Sequence, residues 1–120
     1  WFAFSDMIGG EIYVKKLPSI KVTEIIKSIS PEKEIKVVGI RPGEKVHEQM
    51  IGIDDSPFTY EYESHYKILP HGFHVDNQRI KEGVLTNPGF SYTSDNNDDW
   101  MDADGLNDWI MKNRSLIGLI

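Results

Sequence analysis

The sequence predicts a small mixed α/β (α+β) fold. Three observations lead there: β-prone runs at residues 11–14 and 34–40, a helical repeat between them, and a capped helical stretch near the end. Two helix–strand alternations, then a strand, a long loop and a helix, do not supply the βαβ run of a complete doubly wound domain. The 120 residues make one domain by length, or part of a larger one. A folded chain of this size buries roughly 60–70% of the surface it exposes when unfolded, enough for one core.

Taken in order, Gly9-Gly10 interrupts any helix before Glu11-Ile12-Tyr13-Val14, a short strand. Pro18-Ser19 opens a helix with Ser19 as its cap, and Val22, Ile25, Ile26 and Ile29 fall on one apolar face. Ser30-Pro31 ends it. Residues 34–40 are nearly continuous in apolar character (Ile35, Val37, Val38, Ile40), which predicts a buried strand. Residues 44–51 read as a short helix carrying Val46 and Met50, closed by Gly52. Asp54-Asp55-Ser56-Pro57 is a loop or a new turn. Residues 59–68 alternate, with Tyr60, Tyr62, Ser64, Tyr66 and Ile68 on one side and Glu61, Glu63, His65 and Lys67 on the other. This is a half-exposed strand whose tyrosine face is read as core, the alternative being a docking surface. Residues 70–99 read mostly as loop. Asp102 caps a last helix over residues 103–112, with Leu106, Trp109 and Ile110 turned inward.

The net charge of −6 argues against a general binder of nucleic acid or acidic membranes, while leaving room for a local basic spot around Lys15, Lys16 and Arg41. The chain has no cysteine, which excludes disulfides, thiol nucleophiles and cysteine zinc sites and suits a reducing cytoplasm. No apolar run approaches the ~20 residues that span a bilayer. The opening Trp1-Phe2-Ala3-Phe4-Ser5-Asp6 has no basic region before an apolar core. It reads as the edge of a piece of a longer polypeptide, or as a processed terminus.

Several chemistries fail on spacing. Gly9-Gly10 and Gly39/Gly43 do not make a G-x-G-x-x-G dinucleotide fingerprint, and residues 39–45 are one residue short of a P-loop. No tyrosine has a lysine four residues on, so the proton-handling Tyr–Lys pair of short-chain dehydrogenases is missing. His65, His71 and His74 are interrupted by Pro70 and Gly72, and no spacing puts two of them on one helical face for zinc. A calcium loop through Asp102 and Asp104 would need carboxylates at Trp100 and Met111. Asn113-Arg114-Ser115 is a chance glycosylation match in the absence of a secretory signal. No G-x-S-x-G elbow supports a serine triad. On these grounds no catalytic, cofactor-binding or metal-ligating residue is assigned to the chain.

What remains is Arg41-Pro42-Gly43-Glu44. An apolar run stops at Arg41, Pro42-Gly43 turns the backbone, and a helix-forming segment follows. A guanidinium at a strand's carboxyl end, beside a helix's opening turn, stands where α/β proteins hold phosphates. Its planar donor fork matches phosphate oxygens. The plainer reading is a turn with a surface arginine and a first-turn glutamate that complements the helix dipole.

Residues 9–19 (Gly9-Gly10-Glu11-Ile12-Tyr13-Val14-Lys15-Lys16-Leu17-Pro18-Ser19), followed by Gly39-Ile40-Arg41-Pro42-Gly43-Glu44-Lys45-Val46-His47-Glu48, resemble the carboxyl-terminal part of the UDP-N-acetylglucosamine 4,6-dehydratases. Those enzymes are extended short-chain dehydrogenase/reductases of polysaccharide biosynthesis. Phe90, Tyr92, Ser94, Asp95, Asn96, Trp100 and Leu106 resemble the family's ending. Lys15 stands where the family has Pro, Met101 where it has Leu, and residues 71–89 match no part of the pattern. The resemblance implies a single UDP-sugar-binding domain fragment over residues 1–120, with the Rossmann domain absent. It implies NADP and the Tyr–Lys pair in that missing amino-terminal domain. The family reaction is hydride removal from the sugar's C4, loss of water across C5–C6, and hydride return to C6. Carried over by residue, Arg41 binds the diphosphate, Glu44 accepts hydrogen bonds from ribose or amide groups, and Lys16 is a further contact. A UDP-sugar is the partner, a homo-oligomer of the parent is compatible, and nucleic acid and membrane are not expected. The fragment alone has nowhere to put a hydride and should be inactive. A UDP-amino-sugar epimerase of the same family and a non-catalytic binding or assembly module stay open beside the dehydratase. The sugar-nucleotide reading expects Arg41 in a concavity, rather than in bulk water or locked onto an internal carboxylate.

Overall fold

The computed structural model describes residues 2–72 and 77–116. Along the chain run α1 (Phe2–Asp6), β1 (Ile12–Lys15), β2 (Ser19–Ile20), α2 (Val22–Ile29), β3 (Gln49–Ile51) and a 3₁₀ helix (Ile53–Phe58). There follow β4 (Thr59–Glu61), β5 (His65–Ile68), α3 (Asn77–Ile80), β6 (Val84–Leu85), β7 (Tyr92–Thr93), β8 (Trp100–Met101) and α4 (Ala103–Lys112). The mixed helix-and-sheet class is as expected. The chain divides into two compact units, one from the described residues of 1–17 and 48–96, the other from those of 18–47 and 97–120.

The first unit is built on a four-stranded antiparallel sheet in the order β1-β5-β4-β6. The alternating stretch 59–68 is therefore not one strand. It folds back as a hairpin, with Thr59 opposite Ile68 and Glu61 opposite Tyr66. The tyrosine face is split accordingly: Tyr66 and Ile68 are buried, Tyr60 and Tyr62 half-buried. On the other side Glu61 and Glu63 are exposed as predicted, but His65 and Lys67 are not, because all four residues of β5 are buried. β5 lies between β1 and β4 and has cover on both faces. Val14, Ile51, Tyr66, Ile68 and Tyr92 form the core, with Phe58 and Phe90 against it. Tyr92 Oη donates to the Leu17 carbonyl (2.8 Å) and accepts from the Leu17 N–H (2.9 Å), so its polar end is satisfied. Gly10 leads into β1 at φ 81°, with Pro70 only 3.2 Å from where a Cβ would stand.

The second unit pairs β2 with β8 in parallel, Ser19 opposite Trp100. Ser19 is thus a bridge residue rather than a cap. The helix begins later, with Lys21 as N-cap and no side-chain cap bond. Its end at Ser30 is as predicted. α4 matches its predicted span, with Asp102 Oδ1 accepting from the Gly105 N–H at 2.8 Å. Ser28 Oγ donates to Asn107 Oδ1 (2.6 Å), tying α2 to α4. Of the predicted inward residues, Leu106 and Ile110 are half-buried and Trp109 is exposed.

Two expectations fail between residues 34 and 51. Residues 34–40 form no strand and are exposed along their length. A strand needs a partner to satisfy its backbone, and none of the described strands pairs with them. The predicted helix at 44–51 is absent as well. Gln49–Ile51 is instead drawn into a two-stranded antiparallel ladder with β7, and Ile51 becomes a fully buried core residue. Residues 70–99, read as mostly loop, contain the short elements α3, β6 and β7.

Candidate functional site

Arg41-Pro42-Gly43-Glu44 is a tight turn. The Glu44 N–H donates to the Arg41 carbonyl at 3.0 Å, and Gly43 has φ 87°. Proline followed by a positive-φ glycine is the pattern of a type II turn, which sets its two flanking residues side by side. Glu44 closes the ring: Oε2 accepts from the Arg41 N–H (2.8 Å), and Oε1 accepts from Nε (2.7 Å) and pairs with Nη2 (2.5 Å). The Arg41 backbone bond, then its side chain, holds the Glu44 carboxyl below its usual range. The structure thus brings Arg41 and Glu44 together, but as partners of each other. The Arg41 side chain is 83% exposed. The expectation that it lines a concavity is not met within this chain: the guanidinium stands in solvent and is locked onto a carboxylate. The reason is local, since residues 31–50 are exposed throughout.

Lys16 belongs to the first unit. Its Nζ pairs with Glu61 Oε1 at 2.7 Å and lies 5.0 Å from the Tyr66 ring centre. At 31% side-chain exposure it remains within reach of a ligand. Each unit carries a cavity among its described residues. An open groove of about 810 Å³ in the second unit is lined by Lys21, Glu24, Asp99, Trp100 and Asp102 among others. One of about 450 Å³ in the first unit is lined by Phe2, Tyr13, Lys15, Ser64 and His65 among others. Arg41, Glu44 and Lys16 line neither.

Sequence reasoning missed a densely bonded cluster in the first unit. Lys67 is 2% exposed, and its Nζ donates to Asp6 Oδ2 (2.7 Å) and the Arg79 carbonyl (3.0 Å). It also faces the rings of Tyr13 and Tyr62 at 5.0 and 5.1 Å. Asp6 accepts in addition from Tyr13 Oη (2.7 Å) and from Lys81. Bonds from Lys67, then Lys81 and Tyr13, hold the Asp6 carboxyl well below the usual carboxylate range. Burial raises the Tyr13 hydroxyl, and its bond to Asp6 adds to that. Beside this cluster, Arg79 Nη1 pairs with Glu11 Oε1 at 2.6 Å. Burial pushes the Glu11 carboxyl up, but N–H bonds from Gly9, Glu11 itself and Ile8, with the Arg79 charge, outweigh it. His65 stacks between Tyr62 (4.5 Å) and Tyr13 (5.5 Å), with Phe2 edge-on at 5.2 Å. Burial, then the Lys67 charge, lowers its pKa. His71 packs against Phe58 at 4.0 Å, and His74 lies outside the described residues. The one sequence signal for this cluster was the lysine-bearing run in β5, which alternation assigned to solvent.

The sequence model of the family described as "Polysaccharide biosynthesis protein" matches residues 1–70. The chain belongs to that family. Two family-level relatives from Campylobacter jejuni, strains 81-176 and NCTC 11168, are each described as an inverting UDP-N-acetylglucosamine 4,6-dehydratase. They are 43% and 44% identical over 89% and 81% of this chain, and the match takes in 34% and 31% of their own lengths. An uncharacterized membrane protein of Methanocaldococcus jannaschii is 33% identical over 53% of this chain and 22% of its own. The chain therefore spans about a third of the dehydratases it matches. In the described residues, no helix is long and apolar enough to cross a membrane. A solved structure, Pen from Bacillus thuringiensis, shares the fold at TM-score 0.70 and 24% identity, over 94% of this chain and 34% of that one.

Proposed function

We propose that this chain is the UDP-sugar-gripping part of a cytoplasmic UDP-N-acetylglucosamine 4,6-dehydratase, a lyase that serves surface polysaccharide synthesis. The 43–44% identity to two proteins so described carries the reading. Arg41 is the diphosphate ligand: its exposed guanidinium is open to a phosphate, which exchanges with or joins Glu44 on the donor fork. Glu44, released, accepts from ribose or amide donors, and Lys16 is a further contact. The Gly9-Gly10 pair is no cradle for NADP. Gly9 and Gly10 lead from α1 into a strand, whereas a dinucleotide cradle runs from a strand into a helix. The cofactor belongs to a part of the longer protein outside this chain, and so does the chemical step.

The test is calorimetric titration of UDP-sugar against the complete protein with Arg41→Ala. Charge-assisted bonds to phosphate are worth roughly 1.5–3 kcal/mol net, so affinity should fall about tenfold to a hundredfold. Equal affinity refutes the assignment.

A further inference from the structure

We infer that residues 35–40 are a strand whose sheet lies outside this chain, and that the remainder of the longer protein supplies a helix-covered sheet edge for it. The inference does not depend on the UDP-sugar reading.

The segment has the composition of a strand and none of its bonds. Ile35, Val37, Val38 and Ile40 are all β-branched, the class that fits a pleated, covered surface. None of the described ladders includes any of them. Val37 and Val38 are 88% and 84% exposed, Ile40 65%. Four aliphatic side chains and a bare backbone cannot persist in water without cost. The unit that carries them offers no cover of its own, for among its described residues only Ser19 is buried and no apolar side chain is. Along the segment, Ile35 and Val37 point to one side of an extended chain and Val38 and Ile40 to the other. Both faces from Val37 onward are therefore apolar, the mark of a strand with layers above and below.

That pattern chooses the occupant. A second copy pairing edge to edge would satisfy the backbone but leave both apolar faces wet. A sheet already covered by helices satisfies both. The chain spans about a third of the dehydratases it matches, so the longer protein has ample chain to build such a sheet. Arg41 directly follows the segment, and a docked strand would bring a wall of the longer protein beside it.

Hydrogen exchange followed by mass spectrometry tests this on two molecules: this chain alone, and a chimera in which it replaces the part of the strain 81-176 dehydratase that it matches. Amides of residues 36–40 should exchange like free peptide in the isolated chain and about 100-fold slower in the chimera. Val38→Pro should abolish that protection and lower the chimera's melting temperature, because proline cannot serve a central strand. It should leave the isolated chain's melting temperature unchanged. Fast exchange in a folded chimera overturns the inference. So does protection in the isolated chain that rises with concentration, which would mean a second copy. If the chimera does not fold, the unmodified dehydratase answers: slow exchange in its matching segment supports the inference and fast exchange overturns it.

Discussion

Removing the Asp6 carboxylate should destabilise the first unit far more than removing the Lys67 ammonium that it binds. In Asp6→Ala, Lys67 keeps only the Arg79 carbonyl at 3.0 Å and two tyrosine faces near 5 Å, with 2% of its surface in contact with water. Stripping a buried charge of its ionic partner costs about 3–5 kcal/mol. The tyrosine faces and the Arg79 carbonyl already touch Lys67 before the change and offset none of this, so the loss should be roughly 3–5 kcal/mol. Lys67→Met is different. It fills the same space with apolar atoms, and Asp6 retains Tyr13 Oη at 2.7 Å and Lys81. That variant should lose roughly 1 kcal/mol, since replacing a buried ion by a well-packed apolar group is often close to neutral. Urea unfolding of the isolated chain, read from amide exchange of β5, measures both. Equal losses, or a loss under about 1 kcal/mol for Asp6→Ala, would refute the claim that Lys67 depends on this one carboxylate.

Acid should act through the same group. The folded Asp6 pKa lies below the unfolded value of about 3.9. Its contribution is complete above pH ~5 and is lost as pH falls toward the folded value. The urea midpoint of the first unit should therefore drop between pH 5 and pH 2, and by less in Asp6→Ala. Asp102→Ala removes the cap bond to Gly105 and should cost α4 about 1 kcal/mol, seen as faster exchange of its first-turn amides. Gly10→Ala places a Cβ at φ 81° and 3.2 Å from Pro70, and should lower stability by about 1–2 kcal/mol in the same urea assay.

What could be read in the sequence was what local chemistry decides. Asp102 and the apolar spacing after it fix α4 because a cap bond and a helix face both act within one turn. Gly9-Gly10 before Ile12-Tyr13-Val14 places β1 to within a residue for similar reasons. The stretch 59–68 misled because polar alternation runs unbroken through the hairpin turn, and only pairing with β1 shows that Lys67 is enclosed. Gln49–Ile51 reads as helix in isolation and becomes a strand through Tyr92 and Thr93, far along the chain. Residues 34–40 failed for the opposite reason: the reading was local and the partner is not in the described chain. At the candidate site the turn was legible from Pro42-Gly43, whereas the pairing of Arg41 with Glu44 and the solvent exposure of the pair were not, because both depend on what surrounds a turn.

The pairing of Ser19 with Trp100 also bears on the order of assembly during synthesis. The second unit cannot close until the ribosome has delivered Met101, whereas the Thr59–Ile68 hairpin and its contact with Ile12–Lys15 need nothing beyond Ile68. At about 5–20 residues per second the intervening stretch takes roughly 2–7 s to emerge. For that interval α2 has no α4 to pack against, so a nascent chain stalled before Trp100 offers chaperones a naked amphipathic helix.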